Sequence, residues 1–418
     1  MRKLVVFFLF LSVSAAVFGE GRTITLETAV EMAVSNNLQA EASAQRVMQA
    51  EYERRAASTL FLPRISSSFG YTRLSEAQFT GENLYTLGLA LTQPLYTGGR
   101  LRSVYAQARE HVKMAGFEKD AVIQDLISDT KKGYFSILKA ERVFQTANRM
   151  KELAQEHLRT ASAFFEEGLA TRAEVLKTEV YLAEINQQIV QAENAIALAK
   201  AGFSFLLNRH LSEEFEVEDV FEKRKEKNSL EYWTELSYER RPELKALESA
   251  GRIYEYGITA EKSGYKPQVA LFSGYSWDRG TEMPFDEWKD SWNIGVSVEL
   301  DIWNWGETGH RVQKAVHAKK EIESRLALLR KAVELEVKTA YLNLETAEKQ
   351  TEAIKKSLET AEENLRVTNL LYREGMTATA EVIDAQTGLS SAMNNYYQSL
   401  YDYQIAYAGL ERASGGLD

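Results

Sequence analysis

Apolar and polar residues alternate strictly in two stretches of the chain, which is the pattern of β-strands with one apolar face. The apolar positions are Tyr85, Leu87, Leu89 and Leu91 in the first stretch and Trp292, Ile294, Val296, Val298 and Leu300 in the second. An aromatic-rich stretch with a weaker pattern precedes each of them across a polar loop. The pattern therefore predicts two β-hairpins, with strands at 65–73, 84–93, 268–277 and 291–301.

Each predicted β-hairpin is followed by a long stretch of helical composition. Residues 100–167 and 307–374 contain no proline and are rich in Ala, Glu, Lys, Leu and Gln, which favour helix. At 1.5 Å per residue, each stretch corresponds to a helix of about 100 Å. Gly168 and Gly375 follow directly, and glycine at this position predicts the end of a helix and a turn.

Helix resumes after each turn, which predicts two long antiparallel coiled-coil hairpins, at 100–207 and 307–412. A shorter helix is predicted before each β-hairpin, at 26–62 and 239–263. The segment 208–236 is polar and charged, with only a brief strand-like pattern. We expect it to be an equatorial insertion midway along the long helices.

The two halves of this plan are copies of each other. Residues 131–175 align without a gap to the residues 207 positions later, and 14 of the 45 aligned positions are identical. Two unrelated amphipathic helices would not match so often, so the sequence contains a duplication. Repeat 1 is expected at 20–207 and repeat 2 at 237–412, followed by a short tail at 413–418.

The first 19 residues have the organisation of a secretory signal peptide. Arg2 and Lys3 precede an apolar run, and Val17-Phe18-Gly19 forms the small-residue cleavage context. A membrane anchor is the alternative, but the run is short for the ~30 Å of a bilayer core. The chain has no cysteine, which excludes a lipidated cysteine, a disulfide and a thiolate metal site.

Charge and composition exclude several classes of function. The net charge is -10 and no dense Lys/Arg face is present, which argues against nucleic-acid binding. The histidines do not fall with acidic residues at a metal-binding spacing and are expected on solvated helix faces; they are His111, His157, His210, His310 and His317. No nucleophile or catalytic dyad is recognisable, so we expect no enzyme activity, cofactor or metal.

The predicted strands are long enough to cross a bilayer in a β-barrel, and aromatic residues near their ends suit the membrane interfaces. A soluble antiparallel sheet with one face on a core is the alternative. Four strands cannot close a transmembrane barrel, because the smallest have about eight. A membrane role therefore requires several subunits to share one barrel.

Three motifs occur in the order and spacing of a known family. They are Phe165-Glu-Glu-Gly168 with Glu174 six residues later, Tyr372-Arg-Glu-Gly375 with Glu381 and Asp384, and Gln93-Pro94-Leu95-Tyr96-Thr97-Gly98-Gly99-Arg100. Over essentially the whole mature chain, the sequence resembles the outer membrane efflux protein (TolC-like) family. The resemblance implies a mainly α fold with β, in which a homotrimer forms a 12-strand membrane β-barrel continuous with an α-helical periplasmic tunnel.

The resemblance also implies a function. Members of the family are exit ducts of tripartite efflux or type I secretion systems, and they pass small molecules or proteins. The implied partners are a periplasmic adaptor, an inner-membrane transporter and outer-membrane lipid, and the implied location is the outer membrane with a long periplasmic portion. A soluble periplasmic coiled-coil adaptor or scaffold is the alternative function.

The resemblance further implies a gate at the periplasmic tip of the helices, around the turns Gly168 and Gly375. The implied constriction residues are Tyr372, Glu381, Asp384, Glu174 and Arg172, while Thr377 stands where the best-known member of the family has a locking arginine. Two roles are open for the acidic residues: rings of charge around a pore axis, or stabilisation of a helix N-terminus by about 0.3–1 kcal/mol each.

The strand-to-helix junction of the family is matched by Pro94, Gly98, Gly99 and Gly306. Gly98 and Gly99 before a helix also resemble a phosphate-binding turn. The second copy carries the acidic Glu307 at the start of its helix, where a phosphate would lie, so we interpret both junctions as hinges.

Overall fold

The computed structural model describes residues 23–76, 80–219 and 228–416. The predicted signal peptide at 1–19, residues 220–227 of the predicted insertion and the last two residues of the tail lie outside the described residues. The chain forms two compact units. In the described residues, unit 1 combines 23–33, 130–219 and 356–401, and unit 2 combines the remainder.

Eight α-helices make up most of the described chain. They are α1 (Leu26–Asn36), α2 (Leu38–Thr59), α3 (Arg100–Glu166), α4 (Arg172–Leu206), α5 (Leu230–Arg240), α6 (Pro242–Lys262), α7 (Glu307–Arg373) and α8 (Thr379–Ser414). Both α3 and α7 are 67 residues long. No helix in this part of the chain combines the length and the apolar character needed to cross a membrane.

The helices before the β-hairpins differ from the sequence prediction. The single helix predicted at 26–62 is divided at Asn37, whose side chain accepts a 2.8 Å hydrogen bond from the Gln39 amide and so caps α2. The helix predicted to start at residue 239 is preceded by α5, which begins inside the predicted insertion. The break between α5 and α6 falls at Pro242, which occupies the first turn of α6, where a missing amide hydrogen costs nothing.

Unit 2 contains an antiparallel four-stranded sheet. Its strands are β2 (Arg64–Arg73), β3 (Asn83–Thr97), β5 (Gln268–Arg279) and β6 (Trp288–Glu299). The strands β3 and β5 join the two repeats, and β2 and β6 form the edges.

The core of unit 2 lies among the helices. Trp233 of α5 and Leu244 of α6 pack with Val333 and Val337 of α7 and with Leu410 of α8, and all five are at most 6% exposed.

Arg412, near the end of α8, forms ion pairs with Asp125 of α3 at 2.6 Å and with Glu243 of α6. Arg241 is bonded to Glu243 as well, and to Glu336 of α7 at 2.5 Å. Burial alone would raise the pKa of Glu243, but its hydrogen bonds from Arg241 and Arg412 outweigh that effect and lower the pKa to about 2.

In unit 1, all four long helices contribute to one core. Met150 of α3, Ile185 of α4, Leu365 of α7 and Leu389 of α8 are buried together.

A small parallel sheet, β1 (Thr23–Ile24) with β4 (Glu216–Val217), lies in the same unit. The buried hydroxyl of Tyr134 lies 2.6 Å from the carbonyl oxygen of Glu218 and 3.1 Å from that of Ile24, and so attaches this sheet to α3.

Candidate functional site

The two helical hairpins turn in the same way. Gly168 and Gly375 have φ of 76° and 71°, the left-handed conformation in which a side chain costs about 1–2 kcal/mol. The amide after each glycine donates back to the preceding helix, from Leu169 to the carbonyl of Phe164 at 2.7 Å and from Met376 to that of Leu371 at 2.8 Å. This is the Schellman helix end, and it explains why both turns require glycine.

The acidic residues after the two turns differ in their contacts. Glu174 accepts a 2.8 Å hydrogen bond from the amide of Thr171 and thereby caps α4. Its counterpart Glu381 lies in the first turn of α8 and is exposed, as is Asp384. Within the described residues, neither of these two carboxylates has a hydrogen bond or an ion pair. The capping role therefore fits Glu174, and the role in a ring of charge stays a prediction for Glu381 and Asp384.

Tyr372 is buried at the end of α7 and 5% exposed. Its ring packs edge-on against His157 at 4.7 Å between centroids and lies against Phe164 at 5.6 Å. Its hydroxyl accepts a 3.1 Å hydrogen bond from Thr379, the first residue of α8. Tyr372 thus links α7 to α3 and to the start of α8.

The expectation that His157 lies on a solvated helix face is wrong. The side chain is 5% exposed, because it faces Tyr372 across the α3–α7 contact. Burial lowers its pKa to about 4, so the imidazole is neutral at pH 7. An open cavity of about 40 Å³ lies beside it and is also lined by Gln386, which is 1% exposed.

The sequence motif did not single out His157, Phe164 or Thr379. The first two lie on α3, far along the sequence from Tyr372. Arg172, at the position in repeat 1 that corresponds to Thr379, is exposed and forms no ion pair within the described residues. The structure therefore joins Tyr372 to aromatic and hydroxyl side chains, and Arg172 is not part of that cluster.

The strand-to-helix junctions depend on glycine geometry. Gly98 has φ of 64°, and a Cβ there would lie 2.8 Å from the carbonyl oxygen of Ser263. Gly99 and Gly306 also have positive φ, at 97° and 81°. Pro94 marks the point at which the pairing of β3 with β5 shifts by one residue, which is where a residue without an amide hydrogen is tolerated in a sheet.

One face of the four-stranded sheet is apolar across all four strands. The paired registers place on this face Ile65 and Phe69 of β2, Leu87, Leu89 and Leu91 of β3, Leu271, Tyr275 and Trp277 of β5, and Trp292, Ile294, Val296 and Val298 of β6. On β6 these side chains are 58–71% exposed. The opposite face is mostly small or polar and includes Ser68, Gly88, Ser276 and Asn293.

This division of the sheet matches a strand set with lipid on one side and water on the other. A water-soluble protein rarely leaves so large an apolar surface exposed.

Comparison with known proteins gives the family. The model of the family described as outer membrane efflux protein matches residues 29–209 and 233–416. The chain is 21% identical over 410 residues to the alkaline protease secretion protein AprF of Pseudomonas aeruginosa, covering 93% of this chain and 83% of AprF. It is 23% identical over 364 residues to the outer membrane protein TolC of Vibrio cholerae, covering 85% and 82%.

The fold is shared with solved channels. The crystal structure of the Campylobacter jejuni CmeC outer membrane channel matches with a TM-score of 0.82 and 18% identity, over 94% of this chain and 85% of CmeC. The predicted fold class, the outer-membrane location and the function as an exit duct are confirmed, and the soluble adaptor alternative is not supported. The chain belongs to the outer membrane efflux protein family.

Proposed function

We propose that three copies of this chain form one exit duct, to which each copy contributes its four-stranded sheet and its two helical hairpins. The observation that carries this proposal is the sheet itself. Its apolar face is exposed across four strands, and its edges β2 and β6 are each paired on one side only. Three copies supply twelve strands, enough to close a barrel with the apolar face toward lipid.

The helical hairpins supply the periplasmic part of the duct. In this arrangement, repeat 1 (20–207) and repeat 2 (237–412) each give one β-hairpin and one helical hairpin, and 208–236 forms the equatorial insertion. The duct receives cargo from an inner-membrane transporter through a periplasmic adaptor. It acts as a passage for small molecules or proteins, without a catalytic step of its own.

We place the gate at the second helical turn. Of the three candidate gate carboxylates, Glu381 and Asp384 are exposed and free of bonds in the described residues, while Glu174 is engaged as a cap. In a trimer these two positions give six carboxylates around the axis, which favours cations at the constriction. Tyr372 links the end of α7 to the start of α8, close in sequence to these carboxylates.

Membrane fractionation and heat-modifiable electrophoresis test the trimeric duct. The protein should fractionate with outer membranes, require detergent for extraction and migrate as a trimer unless heated. A chain that is recovered as a soluble monomer without detergent contradicts the proposal.

A further inference from the structure

The duplication relates the strands of the two hairpins by constant offsets. Residues of β3 and β6 correspond 207 positions apart, so that Leu91 corresponds to Val298. The backbone follows the same rule, since Gly98 (φ 64°) corresponds to Trp305 (φ 55°) and Gly99 (φ 97°) to Gly306 (φ 81°).

Residues of β2 and β5 correspond 204 positions apart. Each of these two strands begins directly after a proline, at Arg64 and at Gln268.

The pairing within the hairpins ties the two offsets together, because the two residue numbers of an antiparallel pair have a constant sum. With the offset of 207 that the positive-φ residues give for β3 and β6, the observed pairs require 204 for β2 and β5. Arg64 pairs with Thr92, and shifting the two numbers by 204 and 207 gives Gln268 with Glu299, which is the observed pair. The pair Tyr71 with Tyr85 likewise becomes Tyr275 with Trp292, also as observed. The two hairpins are therefore equivalent pair by pair.

The pairing of β3 with β5 is the junction between one hairpin and the next. In a closed ring of equivalent hairpins, β6 of one copy meets β2 of the neighbouring copy in the same way. Leu91 pairs with Ser273, and Gln93 pairs with Leu271. Each β3 residue is replaced by the β6 residue 207 positions later, and each β5 residue by the β2 residue 204 positions earlier. The two pairs then become Val298 with Phe69 and Leu300 with Ser67.

We infer that β6 pairs antiparallel with β2 of the neighbouring copy in this register, and that residues 300–304 become a continuation of β6. The inference rests on the proposed trimeric duct. It fixes which residues meet at the seam between copies, which trimer formation alone does not.

The ends of the two equivalent strands support this continuation. β3 extends to Thr97 because its last residues pair with β5, up to Thr97 with Gln268. β6 ends earlier, at Glu299, since no strand of its own chain lies beside the corresponding residues. The next residues are apolar and exposed, with Ile302 at 91% and Trp303 at 76%.

Pairing with the neighbouring copy would give these backbone groups hydrogen-bond partners and would cover the side chains. The irregularity between Pro94 and Tyr96 predicts a matching bulge at Ile302, with Trp303 opposite Ile65 and Asn304 opposite Arg64.

Cysteine crosslinking tests the register, and the chain has no cysteine of its own to interfere. The double variant Leu300→Cys with Ser67→Cys places the new thiols directly opposite each other between copies. Both positions are exposed in the single chain, so the substitutions leave its own packing intact. Leu300→Cys with Ile65→Cys and Leu300→Cys with Phe69→Cys are matched controls that are out of register by two residues.

Directly opposed residues in an antiparallel pair alternate between a wider and a closer Cα–Cα distance along the strands. The comparison is therefore repeated at the neighbouring pair, on the opposite face of the sheet, with Glu299→Cys and Ser68→Cys.

After oxidation of purified trimers in detergent, the in-register pairs should give a covalent trimer that survives heating without reductant. The out-of-register pairs should give at least about fivefold less covalent trimer, because their thiols lie on residues about 7–8 Å apart, too far for a disulfide. Stronger crosslinking of an out-of-register pair overturns the register while leaving the duct intact, provided that unheated samples still migrate as trimers. Unheated monomers in the cysteine-free parent would overturn the proposed duct and the register together.

Discussion

Thr379 donates a 3.1 Å hydrogen bond to the hydroxyl of Tyr372, and both side chains are buried. The bond spans the turn between α7 and α8. Because the Tyr372 ring also packs on His157 and Phe164 of α3, opening the second turn requires these contacts to separate. We therefore propose that this cluster is the part of the tip that resists opening.

Replacing Tyr372 with Phe should make the tip easier to open. The change keeps the ring and removes a hydrogen bond worth about 0.5–1.5 kcal/mol, so the open fraction in planar bilayers should rise by up to about tenfold. Tyr396→Phe, in the same helical hairpin, is the matched control and should behave like the parent. An unchanged open fraction in Tyr372→Phe would remove this bond from the gate.

Glu381→Gln with Asp384→Asn should weaken cation selectivity. The variant keeps the shape of both side chains and removes six charges from a trimer, so the reversal potential in a salt gradient should move toward zero. Glu174→Gln is the control in the first hairpin, and glutamine still accepts the capping hydrogen bond. Equal shifts in the control and the double variant would show that the two tips contribute alike.

Acidification should loosen the tip through His157. Its folded pKa of about 4 lies below the ordinary 6.5, so the neutral form stabilises the packed state. That stabilisation is complete above pH 6.5 and is lost as the pH falls from about 6.5 toward 4. The open fraction should rise over this range, and His157→Phe should reduce the rise. A pH response that is identical in His157→Phe would exclude this histidine as its source.

The charged cluster at the end of α8 should stabilise the fold in a pH-dependent way. The pKa of Glu243 is lowered from 4.5 to about 2, so its contribution is present above pH 4.5 and disappears as the pH falls toward 2. At pH 7, Glu243→Gln should lower the free energy of unfolding by an amount on the order of 2–3 kcal/mol. Denaturant unfolding of the detergent-solubilised parent and variant measures this loss of unfolding free energy at pH 7, and it should be smaller at pH 3.

Glu248→Gln is the matched control for Glu243. Its partner is the half-exposed Arg330 at 3.1 Å, and exposed pairs contribute about 0–1 kcal/mol. If the two variants lose the same stability at pH 7, the Arg241–Glu243–Arg412 cluster has no special role.

The long elements could be predicted from the sequence because their signals extend over many residues. Both 67-residue helices lack proline, and each ends at a glycine whose positive φ the turn requires. The strict alternation of apolar residues in β3 and β6 predicted the apolar face of the sheet, which we propose to face lipid. The break at Asn37 has a local signal too, since asparagine is a preferred helix cap, but a continuous helical pattern on both sides hides it.

The contacts of the tip could not be predicted from the sequence. A helix with neighbours on several sides has no simple polar face, so His157 carries no periodic signal that would place it against Tyr372. The unequal roles of Glu174 and Glu381 likewise depend on one hydrogen bond, although the two residues match in the sequence. In the proposed duct, the residues that follow β6 are exposed in the single chain because the strand that pairs with them belongs to another copy, which the sequence of one chain does not reveal.

Single-channel recording in planar bilayers is the most direct test of the account. Purified, unheated protein should insert and produce discrete conductance steps with cation selectivity, and heat-dissociated protein should produce none. Trimers that enter the bilayer but carry no current under any voltage or pH, with Tyr372→Phe equally silent, would contradict an exit duct.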